Sequence, residues 1–394
     1  MKFAFYTSTV SPHQLPFARR MIASLGEGEY SYIYTIPFTE ERREMGWVDE
    51  KHAWIIPEWK RQEEARRILE SVDVVMSGNR DLALFERRAQ KSLTTIYCSE
   101  RWFKPDKGIL RLLSPSFLKM ARRFVRLLRQ CDKVLYYPMG IHAARDMARL
   151  CGLMHGDLKC LFRSPRIEFD KRPGGKIWLA GKNQSESMRY CLDKMRMWGY
   201  FVDPSKLDAF PVREETKTKS QEIKVLWVGR LLGLKRVDTI VRAVGESANL
   251  KHMDDSLPRI TLDIYGVGPE ECRIKKMAKK WGDTIGFYPP VSIGMVRKLM
   301  HEHDIYVLAS DAHEGWGAVV SEALVEGMRV FATYESGSGA TMLPDECLFH
   351  AGDWKRLACL LRGAASEFPQ AQGIGAWSVD EGVARMLADI KLLA

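Results

Sequence analysis

Short apolar runs alternate with segments of helical period along most of this chain. Lys2–Ser8 reads as a strand, followed by the turn-like SPHQLP and a helical run over Phe17–Gly26. YSYIYTI near 30–36, VDVVMS at 72–77 and TTIYC at 94–98 read as further strands, with a helical pattern over 63–72. Strands alternating with helices predict a parallel, doubly wound α/β sheet. The stretch 203–222 is polar, carries two prolines and keeps no apolar period, so it reads as a linker. The pattern then restarts. Strands are expected at 224–229, 260–265 and 285–288, and helices at VDTIVRAV, after GVGPEE and at SIGMVRKLMHEH. The tail WSVDEGVARMLADIKLLA reads as a helix, with Ser378 as N-cap and Glu381 completing a capping box. Four segments follow: a first domain over 1–202, the linker, a second domain over 223–375 and a terminal helix over 376–394.

The densest signal lies in 310–340. A strand over Asp304–Ser310 leads into Glu314, Gly315 and Gly317, then a helical pattern holding Glu322, then a strand over Arg329–Tyr334. This is one βαβ unit, and ligands gather at the carboxyl end of its first strand. The helical period places Glu322 a little over two turns beyond Glu314, on much the same side. Backbone N–H groups for an anion and two carboxylates for hydroxyls suit a sugar nucleotide. Gly229, Arg230 and Lys235 follow the strand at 224–229, where two cations suit a diphosphate. Gly266 and Gly268 form a GxG turn without the third glycine of a dinucleotide fingerprint, so a tight turn edging the nucleotide is expected rather than NAD binding.

Composition narrows the function. With 394 residues, 46% hydrophobic and 28% charged, the chain has the profile of a two-domain globular protein. No apolar run is long enough to cross a bilayer, and the N-terminus lacks the long apolar core of a signal peptide. The eight cysteines are scattered without a CxxC pair, which argues against a zinc site or a disulfide framework and for a reducing cytosol. The net charge of +10 is uneven: residues 1–200 hold 36 basic and 23 acidic residues, or +13, and the remaining 24 and 27 make −3. The stretch 107–131 has no acid, and its helical period leaves Phe117, Met120, Ala121, Phe124, Leu127 and Leu128 as a core stripe. Lys119, Arg122, Arg123, Arg126 and Arg129 fill the opposite face, which is suited to an anionic membrane surface. No nucleic-acid motif is present, so a nucleic-acid partner is not expected.

WVGRLLGLKRVDTIVRAV, LDIYGVGPEE and ASDAHEGWGAVVSEALVEGMRVFAT together resemble the donor domain of family 4 retaining glycosyltransferases with the GT-B fold, whose signature is Glu-x7-Glu. The resemblance is strong over 222–345. SPHQLPFAR, YCSERWFK and MWGYF are similar to less specific segments of bacterial members. It implies two Rossmann-like domains facing a cleft, with the terminal helix crossing back to the first. It implies transfer from a nucleoside diphosphate sugar to a glycan or lipid-linked acceptor, with retention and without a metal or other cofactor. Arg230 and Lys235 would hold the diphosphate and stabilise the leaving group. Glu314 would meet sugar hydroxyls, Gly315, Trp316, Gly317 and Ala318 would line the donor, and Glu322 would bind the ribose. Trp316 stands where the family usually has Phe, and Met328-Arg329 replaces a residue-Pro pair. The histidine that many members carry in the first half has no clear HxH counterpart here. His13, Glu100 and Arg101 follow strands of the first domain and are the candidates for acceptor or sugar contact, and His313 adjoins Glu314. The expected setting is bacterial polysaccharide or glycoconjugate synthesis in the cytoplasm, at the inner face of the membrane. Rival readings are a GT-B epimerase or phosphorylase, or a sugar-nucleotide-binding protein without catalysis.

Overall fold

The computed structural model describes residues 1–37, 52–180, 186–202, 222–254, 259–364 and 377–393. The chain divides into two compact units, one of Met1–Phe201 with Ala376–Ala394 and the other of Val202–Gly375. The segment read as a linker lies outside the described residues, except Glu222, which opens the first strand of the second unit.

The first unit is built on a parallel sheet of β1 (Phe3–Thr7), β2 (Tyr30–Tyr34), β3 (Ile55–Pro57), β4 (Val74–Ser77), β5 (Thr94–Ser99) and β6 (Val134–Pro138). Its order is β3-β2-β1-β4-β5-β6. Every residue of β1, β4, β5 and β6 is buried. A parallel sheet covered on both faces has this property, and it is why these strands read as continuous apolar runs rather than as alternations. The strand order turns back on itself between β1 and β4, the place where such sheets open a crevice at their carboxyl ends.

A small antiparallel pair, β7 (Ile167–Phe169) and β8 (Ile177–Leu179), and the terminal helix Val379–Leu393 complete this unit. The helix is held by Arg196 on Asp389 at 2.7 Å and Arg385 on Asp170 at 3.0 Å. Gly382 lies so close to Phe201 that a Cβ there would meet the ring at 2.6 Å. Ser378 does cap the helix, its Oγ accepting the Glu381 N–H at 3.2 Å. The Glu381 carboxylate pairs instead with Arg385 at 3.0 Å and Arg172 at 3.8 Å, so the capping box is replaced by an ion-pair cluster.

The second unit repeats the architecture with β9 (Glu222–Val228), β10 (Arg259–Tyr265), β11 (Ile285–Tyr288), β12 (Ile305–Leu308), β13 (Arg329–Thr333) and β14 (Leu348–Phe349). All pairings are parallel, in the order β11-β10-β9-β12-β13-β14. The turning point is between β9 and β12. Residues Gly229–Lys235 leave the first of these strands and Ser310–Glu314 leave the second, so the predicted donor residues meet at that point. One expectation fails here. The helix after β12 is Val319–Val325, so Glu314 lies five residues before it on a loop, and the helical-turn argument linking it to Glu322 does not apply.

Candidate active site

The loops leaving β9 and β10 run against each other. The N–H of Gly229 donates to the Tyr265 carbonyl at 3.0 Å, that of Leu231 to Val267 at 2.9 Å and that of Glu270 to Leu231 at 3.0 Å. At Gly266, whose φ is +144°, a Cβ would lie 1.8 Å from the Gly229 carbonyl oxygen. At Gly268 it would lie 2.5 Å from that of Leu231. Loop-on-loop packing therefore accounts for both glycines, and it fixes the path of the segment that carries Arg230 and Lys235.

Lys235 ends a short 3-10 turn over Gly233–Lys235. Its ammonium donates to Oε2 of Glu314 at 2.5 Å. The same oxygen accepts Ser310 Oγ at 2.8 Å. The Ser310 carbonyl in turn accepts Thr333 Oγ1 at 2.6 Å, and the Asp311 N–H donates to the Leu234 carbonyl at 2.8 Å. The loops after β9 and β12 are thus tied by one backbone bond and one charge-assisted bond. The Lys235 side chain is 25% exposed and that of Glu314 14%, so the pair is partly desolvated yet reachable. Arg230 is exposed on the same loop.

Gly317 has φ +84°, and a Cβ there would meet Leu308 at 2.8 Å, so the turn between Glu314 and the helix requires glycine. The Trp316 side chain is buried. The carbonyls of Gly315 and Trp316 accept the N–H groups of Gly337 and Ser338 at 3.1 and 2.8 Å, and that of Gly317 accepts Ser338 Oγ at 2.9 Å. Glu322 sits half-buried in the first turn of Val319–Val325. The charges of Glu322 and Glu314 both reach Tyr306 of β12. Burial pushes the Tyr306 phenol up, and the charges of Glu322 and Glu314 push it further, so both carboxylates act on one buried hydroxyl. That hydroxyl donates to the Val228 carbonyl at the end of β9, at 3.2 Å. His313 is exposed, with Nδ1 2.9 Å from Asp311. Ser310, just past β12, and Thr333, at the carboxyl end of β13, carry a strand-end signal in the sequence, whereas Tyr306 inside β12 carries none.

In the first unit the candidates lie just past β1 and β5. His13 lies in the loop after β1, its N–H on Ser11 Oγ at 3.4 Å and its ring 5.7 Å from that of Tyr200. Glu100 is half-buried just past β5. Arg101 is 3.7 Å from Asp146, a buried carboxylate that also accepts the N–H groups of Trp102 and Phe103 at 2.9 Å each. Burial pushes the Asp146 carboxyl up, and Arg101 and the two N–H groups oppose it. A pocket of about 420 Å³ lined by Tyr6, Thr35, Glu58, Trp59 and Asp81 was missed, although four of these residues stand in or just beyond β1–β3. Tyr6 donates to Glu58 there at 3.2 Å.

The helix Pro115–Gln130 buries Phe117, Ala121, Phe124, Leu127 and Leu128 as expected, with Met120 half-buried and Val125 added to the stripe. Lys119, Arg122, Arg126 and Arg129 are exposed. Arg123 is not part of that open face: it forks onto Glu86 at 2.9 and 2.5 Å and holds that carboxyl below its usual range. Among the described residues, no group of three or more His, Cys, Asp or Glu could hold a metal ion. No helix among them is long and apolar enough to cross a membrane.

Two like sheets in the order 3-2-1-4-5-6 define the GT-B fold, and solved structures agree. The apo lipopolysaccharide outer core galactosyltransferase WaaB is 13% identical over 100% of both chains, with a TM-score of 0.63. HepE of Anabaena in complex with UDP is 13% identical over 100% of this chain and 97% of its own, with a TM-score of 0.56. The N-terminal domain of Candida albicans trehalose-6-phosphate phosphatase is 10% identical over 100% and 97%, with a TM-score of 0.64. Residues 209–367 match the family model described as Glycosyl transferases group 1. No curated protein matches the chain by sequence. The family match thus falls within the second unit, and the solved structures bear on the fold.

Proposed function

We propose that the chain is a retaining, metal-independent glycosyltransferase that moves a sugar from a nucleoside diphosphate sugar to a glycan or lipid-linked acceptor. The observation that carries this reading is the Lys235–Glu314–Ser310 cluster at the turning point of the second sheet, with Arg230 on the same loop. Arg230 and Lys235 face the donor diphosphate and neutralise the charge that grows as the glycosidic C–O bond breaks. Glu314 holds sugar hydroxyls and Glu322 the ribose. The carbonyls of Gly315, Trp316 and Gly317 are already engaged, so this segment offers the donor its N–H side. The acceptor hydroxyl attacks on the face that the leaving group vacates. Its proton passes to the departing phosphate oxygen, and bond formation on that same face is what retains the anomeric configuration. Glu314 is not the base in this scheme, because its charge is already committed to Lys235.

Acceptor binding is assigned to the first unit, where Glu58, Asp81 and Trp59 supply carboxylates for hydroxyls and a ring for a sugar face. The setting is cytoplasmic bacterial glycan or glycoconjugate synthesis. The test is a thermal-shift series of nucleoside diphosphate sugars in a chelating buffer, followed by mass spectrometry of products on glycan and lipid-linked acceptors. A raised melting temperature with one donor and a product heavier by one sugar support the reading. No shift with any donor, or activity that requires added metal, would overturn it.

A further inference from the structure

The first unit carries a second surface that sugar transfer does not use. A groove of about 500 Å³ runs beside the helix Pro115–Gln130 and the end of the helix Ile141–Met154, with Leu118, Val125 and Leu153 among its apolar walls and Arg122, Arg126 and Arg129 at its edge. Two 3-10 turns, Gly108–Leu113 and Leu158–Leu161, pack against these same helices. They and the next residue expose Leu110 by 65%, Leu113 by 78%, Leu158 by 67% and Phe162 by 89%. Both turns are pinned. Arg111 donates to the Trp102 carbonyl and lies 4.5 Å above the Phe117 ring. Arg149 donates to the carbonyls of Cys160 and Leu161. The apolar side chains are therefore held outward on fixed backbone. The stretch 107–131, which carries Leu110 and Leu113, contains no acid, and next to the second turn the acid is Asp157, its N-cap.

We propose that this face docks on a bilayer containing anionic phospholipids. Leu110, Leu113, Leu158 and Phe162 enter the boundary between headgroups and acyl chains, and Arg122, Arg126 and Arg129 meet lipid phosphates. Guanidinium groups pair with phosphate oxygens by forked hydrogen bonds, and interfacial binding grows with both buried apolar area and anionic charge. A nucleic acid would use the arginines but leave the four apolar side chains in water, which is why a lipid surface is favoured. The docking deepens the proposed function, since it would bring the enzyme to a lipid-linked acceptor, but it does not require that function.

The experiment is co-sedimentation of the full chain with vesicles of phosphatidylcholine alone or mixed with phosphatidylglycerol, at low and high salt. Two variants are compared, Leu113→Asp with Phe162→Asp, and Arg122→Glu with Arg126→Glu and Arg129→Glu. Binding is expected only to the anionic vesicles, weakened by salt, and reduced about tenfold or more by either variant at unchanged thermal stability. Native binding to neither vesicle overturns the proposal. An unchanged affinity of the paired aspartate variant also overturns it, leaving a polyanion-binding surface only. Nucleotide-sugar binding, read separately by thermal shift, is unaffected by either variant, so a failure of the donor-site assignment remains distinguishable.

Discussion

Lys235 and Glu314, 79 residues apart in the chain, meet at 2.5 Å where β9 and β12 end. The contact places a phosphate-directed cation against a sugar-directed carboxylate, so neither acts alone. Lys235→Ala is expected to lower turnover by about 10²–10³-fold, the cost of losing one preorganised group that stabilises developing negative charge. It also leaves the Glu314 carboxylate without its ammonium. A cycle of Lys235→Ala, Glu314→Ala and the double variant should show a stability coupling of about 1 kcal/mol, modest because Lys235 is a quarter exposed. Denaturant melts of the four proteins without donor measure it. Strict additivity would mean that the two side chains do not hold each other in solution.

Glu322 is set to act on affinity rather than on bond breaking. It stands in the first turn of the helix Val319–Val325, on a different segment from the loop that carries Lys235. Glu322→Ala should weaken binding of the donor and of the bare nucleoside diphosphate by roughly ten- to hundredfold, the value of hydrogen bonds to a charged acceptor. Turnover at saturating donor should fall much less. Titration calorimetry with nucleoside diphosphate checks this, and unchanged affinity would remove Glu322 from the ribose.

The parts of this architecture visible in the sequence are those with local causes. Buried parallel strands must be apolar throughout, so FAFYT, VVMS and IYVL announce themselves, and β11 falls on the expected residues 285–288. Distant partners are a different matter. Arg101 stands near Asp146, 45 positions away, and Arg123 pairs with Glu86, 37 positions away, and no local pattern announces either pairing. The two-residue strand β14 is too short to establish a period, whereas β6 and the helices Leu82–Gln90 and Ile141–Met154 are long enough and are absent from the expected elements all the same. The helical relation between the two glutamates failed for a more specific reason. Gly317 takes a backbone conformation that ends any continuous helix from Glu314, and the buried Trp316 anchors that break.

Gly266 tests whether the frame beneath the cations matters. Alanine there would force its Cβ against the Gly229 carbonyl oxygen, a backbone atom that cannot rotate away. Gly266→Ala is expected to destabilise the second unit by about 1–3 kcal/mol or more and to weaken donor binding, because the loop carrying Arg230 must move. Gly233→Ala is the control, since a Cβ at that position meets nothing within 4 Å. Thermal melts with and without donor should separate the two variants. Equal melting temperatures would show that the loop crossing is softer than its geometry implies.

The terminal helix supplies a pH-dependent test within the first unit. Burial pushes the Asp170 carboxyl up, but bonds from Arg172 at 2.8 Å and from Arg385 on the helix at 3.0 Å prevail and hold it well below the usual carboxylate range. Because the folded value lies below the unfolded one, the unfolded chain takes up this proton first as pH falls. The pair's contribution is therefore complete above the ordinary carboxylate range, near pH 4, and declines as pH drops towards the folded value. Asp170→Asn should cost about 1 kcal/mol at pH 7, a small figure because the ion pair is partly solvated. The gap between native and variant should then narrow from pH 5 to pH 3, since the native protein loses what the variant already lacks. Melting temperatures across that range measure the difference. Parallel curves would mean that the helix is held by apolar contacts such as Gly382 on Phe201 and that the Asp170–Arg385 bond adds nothing.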